Sequence, residues 1–200
     1  MNLKKNLYLP IEFKHRELLS KLLLTSYASK AGFRVYVGSK SSIYRLIETK
    51  RHKGGIFFFK GGIDIDTIYK IKKNCDNFVI LDEEMGTEKE NYARIAKRRI
   101  WPNSEEYIDK YFVIGNYAYN ASSNIFPRMK NSIKCTGWPR IDLWRKEHEL
   151  LFAKQTELIS KKYGKFILFV SDFGYNSKKF IDGTLNRIKN SKWKSLVNEL

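Results

Sequence analysis

Cysteine is scarce, and the two present, Cys75 and Cys135, lie far apart with no partner spacing. That argues against a disulfide framework and a zinc site, and it fits a reducing compartment. Long apolar runs are also missing. The first residues, MNLKKNLYLPIEFK, hold no run of signal-peptide length, and nothing approaches the ~18 apolar residues of a membrane span. The expected location is therefore the cytoplasm. A G-x-G-x-x-G loop, a Walker loop and a G-x-S-x-G elbow are all absent, which counts against a dehydrogenase, a P-loop NTPase and an α/β-hydrolase. There is no internal repeat and no low-complexity tract.

What is present is enough apolar material for a core: 200 residues, 42% hydrophobic and 14% aromatic, sufficient for one domain or slightly more. Lys and Arg number 38 against 21 acidic residues, a formal charge of +17. Such a field draws nucleic acid, acidic lipid headgroups or phosphorylated small molecules. The basic residues are scattered (KKN, KRR, RMK, SKK) and form no dense block. That suits a solvated basic surface, with peripheral contact at an anionic membrane face, and counts against a nucleic-acid stripe.

Short apolar runs alternate with longer amphipathic stretches. Strands are expected over residues 6–11, 33–37, 55–59, 77–81, 111–114, 132–136 and 166–170. Between them the spacing predicts helices over 15–31, 41–48, 64–73, 88–97, 104–110, 117–126 and 142–163, and a last one over 191–200. In the first helix Leu18, Leu19, Leu22, Leu23, Tyr27 and Ala28 form the apparent core-facing stripe. Ser41 or Ser42 can cap the second helix and Asp64 or Asp66 the third. Continuous apolar runs such as FVIL, YFVI and FILFV suit strands buried on both faces. The fold class is α/β, with a doubly wound, mostly parallel, Rossmann-like sheet. A boundary is expected near Gly164, giving a first domain over 1–164 and the start of a second over 165–200, where the last helix stops as if more chain followed.

In such a sheet ligands bind beyond the carboxyl ends of the strands. Glu12, Lys14, His15 and Arg16 follow the first strand, and Asp82, Glu83, Glu84 and Gly86 the fourth. Gly137, Trp138, Pro139, Arg140 and Asp142 follow the sixth. A carboxylate crowded by two others at a strand end is a general-base candidate, so Glu83 and Glu84 are the catalytic candidates, with Asp82 beside them. His15, Arg16, Asp82, Arg140 and Asp142 are the substrate-binding candidates. An Arg at a helix start can grip a phosphate or carboxylate, and Arg140 opposes its helix dipole unless Asp142 or an outside anion pairs with it. No metal ligand set is evident. His52 and His148 read as surface residues, and Met129, Tyr107, Tyr111, Phe112, Tyr117 and Tyr119 as packing.

The segment TGWPRIDLWR resembles the T-G-x-P-R-x-D-L-x-R segment of bacterial surface carbohydrate biosynthesis proteins, and a related turn occurs in CDP-glycerol glycerophosphotransferases of teichoic acid synthesis. LYLPIEFKHREL, LDEEMG, YFVIGNY and KYGKFILFVSDFGYNS are similar to other segments of that family, in the right order along nearly the whole chain. Trp138 departs from the pattern, standing where a small or polar residue is expected. The resemblance implies the first half of a two-domain GT-B glycosyltransferase with no bound metal or other resident cofactor. It would use a nucleotide-sugar donor held mainly by the second domain, and a saccharide or lipid-linked acceptor handled by the first. A nucleotide-sugar 2-epimerase on the same plan and a non-catalytic nucleic-acid-binding protein are the alternatives.

Overall fold

The computed structural model describes residues 5–49, 53–83 and 92–168. Six strands run in order along the chain: β1 (Asn6–Ile11), β2 (Arg34–Ser39), β3 (Ile56–Phe59), β4 (Asn77–Leu81), β5 (Lys110–Val113) and β6 (Ile133–Cys135). All neighbours are parallel, in the spatial order β2-β1-β3-β4-β5-β6. The helices are α1 (Lys14–Lys30), α2 (Lys40–Glu48), α3 (Ile65–Lys72), α4 (Tyr92–Arg99), α5 (Asn116–Ile125), α6 (Pro139–Asp142) and α7 (Ala153–Tyr163). This is the doubly wound α/β class. Contacts divide the chain into two compact units, Met1–Phe152 and Ala153–Leu200; the first holds the sheet, and α7 begins the second. No helix among the described residues is long and apolar enough to cross a membrane.

The period-2 side-chain alternation of the strands sorts the core into two layers. On one face Tyr8, Phe57, Phe59, Phe78, Ile80, Tyr111 and Val113 pack under residues of α2 to α5. Phe57 stacks on Phe78 with ring centres 5.4 Å apart, and Tyr8 on Tyr36 at 5.3 Å. Each such buried aromatic contributes roughly 1.5–3 kcal/mol. On the other face Leu7 and Leu9 of β1 meet Ala28 and Leu24 of α1, and the short α6 packs on α1.

The reversal of strand order falls between β1 and β3. The chain leaves β1 toward one face and β3 toward the other, so a crevice opens at their carboxyl ends. Gly55, just before β3, has φ +97, and a Cβ there would stand 2.4 Å from the Asn6 carbonyl oxygen of β1. Only glycine lets the two strands begin side by side at that point.

Several local expectations change. The cap of α2 is Ser39, whose Oγ accepts from the Ser42 amide, instead of Ser41 or Ser42. Residues 105–107 form only a 3-10 turn ahead of β5. The single helix expected over 142–163 is three pieces: α6, a 3-10 stretch Lys146–Phe152, and α7. Asp142 Oδ1 meets Arg145 at 2.9 Å and Leu143 alone turns inward, while Trp144, Leu150 and Leu151 are exposed, so no buried stripe supports a continuous helix. Residues 166–168 form no strand, and the remainder of that expected strand and the helix over 191–200 lie outside the described residues.

The largest change concerns α1. The stripe it buries is Glu17, Ser20, Lys21 and Ala28, with Leu24 packed beside Ala28. Leu19, Leu22 and Tyr27 are 50%, 47% and 57% exposed. The helix is rotated so that charged residues, not leucines, occupy the inner face of its first half. The reason lies in what faces them across the sheet end.

Two carboxylates fasten loops elsewhere. Asp64 caps α3 by accepting from the Thr67 amide and hydroxyl, which hold its carboxyl below the ordinary range near 3.8. Burial pushes the Asp109 carboxyl up, but the Lys72 ammonium at 2.8 Å and the Phe78 amide at 2.7 Å outweigh it and hold it low as well. A folded-state value below the unfolded one stabilises above the unfolded pKa and is lost as pH falls through the folded value. The urea midpoint should therefore drop below about pH 4, and Asp109→Asn should flatten that acid limb. Equal acid slopes in wild type and Asp109→Asn would remove Asp109 as a contributor.

Candidate functional site

Charged side chains converge along the carboxyl edge of the sheet, at strand ends and at the start of α1. Glu17 is almost wholly buried, at 1% exposed. Its Oε2 accepts from the Glu12 amide at 2.9 Å and its Oε1 from the Phe13 amide at 3.4 Å, so it ties the β1–α1 loop to the first turn of the helix. The same Oε1 lies 3.3 Å from Lys60 Nζ and 3.7 Å from Arg16. Lys60 follows β3 directly and reaches across the crevice to Glu12 Oε2 at 2.6 Å. Lys40, the first residue of α2, approaches the other Glu12 oxygen at 3.6 Å. Hydrogen bonding to Lys60 is the main cause that holds the Glu12 carboxyl below its usual range, against a smaller upward push from burial.

A second cluster sits one strand further along. Glu83, 2% exposed after β4, lies between Lys21 of α1 and Arg140 of α6, each at 3.4 Å. Arg140 also stacks on Trp138 at 4.9 Å. The cation at that helix start is thereby paired with Glu83, while Asp142 pairs with Arg145. Asp82 is fully buried and meets Arg99 of α4 at 3.3 Å, and Tyr111 of β5 donates its hydroxyl to Asp82 at 3.3 Å. Burial first, then the Asp82 charge, pushes that hydroxyl far up, so it stays a donor.

Of the candidates read from sequence, Asp82, Glu83 and Arg140 come together at the sheet edge, with Arg16 at the neighbouring crevice. His15 is exposed on the first turn of α1. Asp142 lies instead in a separate groove of about 280 Å³ between α1 and the residues after α6, beside Leu23, Tyr27 and His148. Glu84 lies outside the described residues, as does His52. Glu83 as it stands is clasped by two cations, so its carboxylate positions Lys21 and Arg140. Among the described residues no group of acids, histidines and cysteines is arranged for a metal ion.

Sequence reasoning passed over Glu17, Lys21 and Lys60. A signal existed: Glu17 and Lys21 continue, at helical spacing, the side of α1 that carries Leu24 and Ala28, and Lys60 is the residue that ends an apolar strand.

No protein-family model matches the sequence, and neither a curated protein nor a solved structure matches the chain.

Proposed function

We propose that the protein acts in surface polysaccharide biosynthesis as a glycosyltransferase, moving a sugar from a nucleotide-activated donor to a saccharide or lipid-linked acceptor, with the six-stranded unit as the acceptor side. The observation that carries this reading is the row of paired acids and bases along one sheet edge, from the Lys60–Glu12 contact to Lys21, Glu83 and Arg140. Such an edge offers cations for phosphate or acidic sugar groups and a carboxylate beside them for the acceptor hydroxyl. The family resemblance of the segments around β1, β4, β5 and α6 points the same way. In such a transfer a carboxylate can take the hydroxyl proton as the acceptor oxygen attacks the anomeric carbon, and the donor's nucleotide phosphate leaves with the electron pair of the broken carbon–oxygen bond. Glu84, the next residue in sequence after Glu83, is assigned that role, while Glu83 holds Lys21 and Arg140. The basic surface favours work at an anionic membrane face, where a lipid-linked acceptor is held.

The test is sugar release and transfer from a panel of nucleotide-sugars by the protein and its variants. Glu84→Gln is expected to lower kcat by about 10²–10⁴-fold. Glu83→Gln should raise KM through the loosened cations. Transfer untouched by both changes would remove the catalytic assignment. Consumption of donor to an isomer with no acceptor present would favour an epimerase.

A further inference from the structure

Helix α5 turns small side chains inward and larger ones out. Ala118, Ser122 and Ser123 are buried, while Tyr117, the second residue of the helix, is 51% exposed. Tyr117, Asn120, Ala121 and Asn124 recur at helical spacing and so share one side of α5. With Ile125 of α5 and Tyr92 of α4 they line a groove of about 390 Å³. That is within the range of small-ligand pockets, ~300–1,000 Å³. The Tyr92 and Tyr117 rings meet edge to face, with centres 4.7 Å apart and planes at 67°, and so form a corner.

The lining is neutral. Among the described residues no charged side chain borders the groove, on a chain that carries 38 basic and 21 acidic residues. A phosphate or carboxylate would find no counter-charge there, and a wholly apolar ligand would strip water from two carboxamides. A ligand with C–H faces and hydroxyl edges fits both features. The electron-rich face of a tyrosine ring attracts the C–H face of a pyranose, and an asparagine amide both donates to and accepts from hydroxyls.

Position adds to composition. Tyr117 lies close after the end of β5, which sets the ring pair toward the carboxyl edge of the sheet. Burial first, then the Asp82 charge, raises the Tyr92 hydroxyl above its ordinary value near 10, so the corner stands within electrostatic reach of the buried Asp82–Arg99 pair.

We propose that the groove between α4 and α5 binds a neutral saccharide, with a sugar ring in the Tyr92–Tyr117 corner and its hydroxyls on Asn120 and Asn124. One part rests on the transferase reading: that this saccharide is the acceptor chain, laid along the groove toward the carboxyl edge.

The test is an NMR titration of the 200-residue chain with neutral oligosaccharides of glucose, galactose and N-acetylglucosamine. At least one must move the side-chain amide signals of Asn120 and Asn124 and the ring signals of Tyr117, with an affinity that added salt leaves unchanged. Tyr117→Ala should weaken that binding about tenfold and Asn124→Leu about threefold. Failure of every oligosaccharide to move those signals overturns the proposal, as does affinity unaltered by both substitutions. Binding confined to acidic oligosaccharides and abolished by salt overturns it too, since such a ligand belongs on the charged edge. Should a variant fail to fold, the wild-type shifts decide alone. Saccharide bound at these residues with no sugar transfer would keep the groove and remove the transferase reading. Transfer with an acceptor KM unchanged in both variants would do the reverse.

Discussion

Glu17→Ala should destabilise the protein by about 3–5 kcal/mol, the range for breaking a buried ion pair by deleting one partner. Three separate losses combine at this one carboxylate. The Glu12 and Phe13 amides lose their acceptor, Lys60 keeps its charge in a nearly closed position with one counter-ion fewer, and α1 loses the contact that sets its rotation. Glu17→Gln should fall between wild type and Ala, since an amide oxygen can still accept from one of the two backbone amides while Lys60 loses one of its counter-ions. Adding Lys60→Met to Glu17→Ala should cost less than the sum of the two single changes, with a coupling of about 0.5–3 kcal/mol. Urea denaturation followed by far-ultraviolet circular dichroism gives all four values. A Glu17→Ala midpoint within about 1 kcal/mol of wild type would show that the pair contributes little beyond its desolvation cost.

The second large effect is expected at a glycine. Gly55→Ala places a methyl group 2.4 Å from a backbone carbonyl oxygen and 2.7 Å from the Asn6 Cβ, in a residue whose φ of +97 already disfavours a side chain. Backbone cannot swing aside as a flexible side chain would. Gly55 also receives the Asp76 and Asn77 amides on its carbonyl, so a shift there disturbs the starts of β1, β3 and β4 together. A loss of at least ~3 kcal/mol is expected. Gly32→Ala is the control: its φ is +90, yet nothing lies within 4 Å of the added methyl. That change should cost only the conformational penalty of about 1–2 kcal/mol. Thermal midpoints of the two variants test the comparison. Similar midpoints would mean that the strands part easily at Gly55 and that the close approach carries little weight.

The alternation of strands and helices could be read from sequence because buried parallel strands must be continuously apolar, as FVIL and YFVI are, and because turn residues separate them. The carboxyl-edge position of Asp82, Glu83 and Arg140 followed from the same reading, since each lies within a few residues of a strand's end. The rotation of α1 did not follow. Its leucines have the spacing of a core stripe, and the competing stripe of Glu17 and Lys21 is stabilised by partners 43 and 62 residues away, Lys60 and Glu83. Local pattern carries no record of such partners. Lys60 was passed over for a related reason: beside Gly61 and Gly62 it looks like part of a turn, and its importance comes from the strand reversal that sets it opposite Glu12. The residues after α6 show the opposite failure, since a helical pattern was present but little around it gave the apolar side anything to bury against.

The leucines that α1 turns outward have a colloidal consequence. Leu19, Leu22 and Tyr27 give two copies of the protein a sticky strip to share, and the excess of lysine and arginine keeps those copies apart by mutual repulsion. That repulsion reaches only about 8 Å at physiological ionic strength and about 3 Å at 1 M salt. Dispersion of the protein in solution thus depends on dilute electrolyte, and concentrated sulfate, which both shields charge and strengthens apolar contact, acts against it twice.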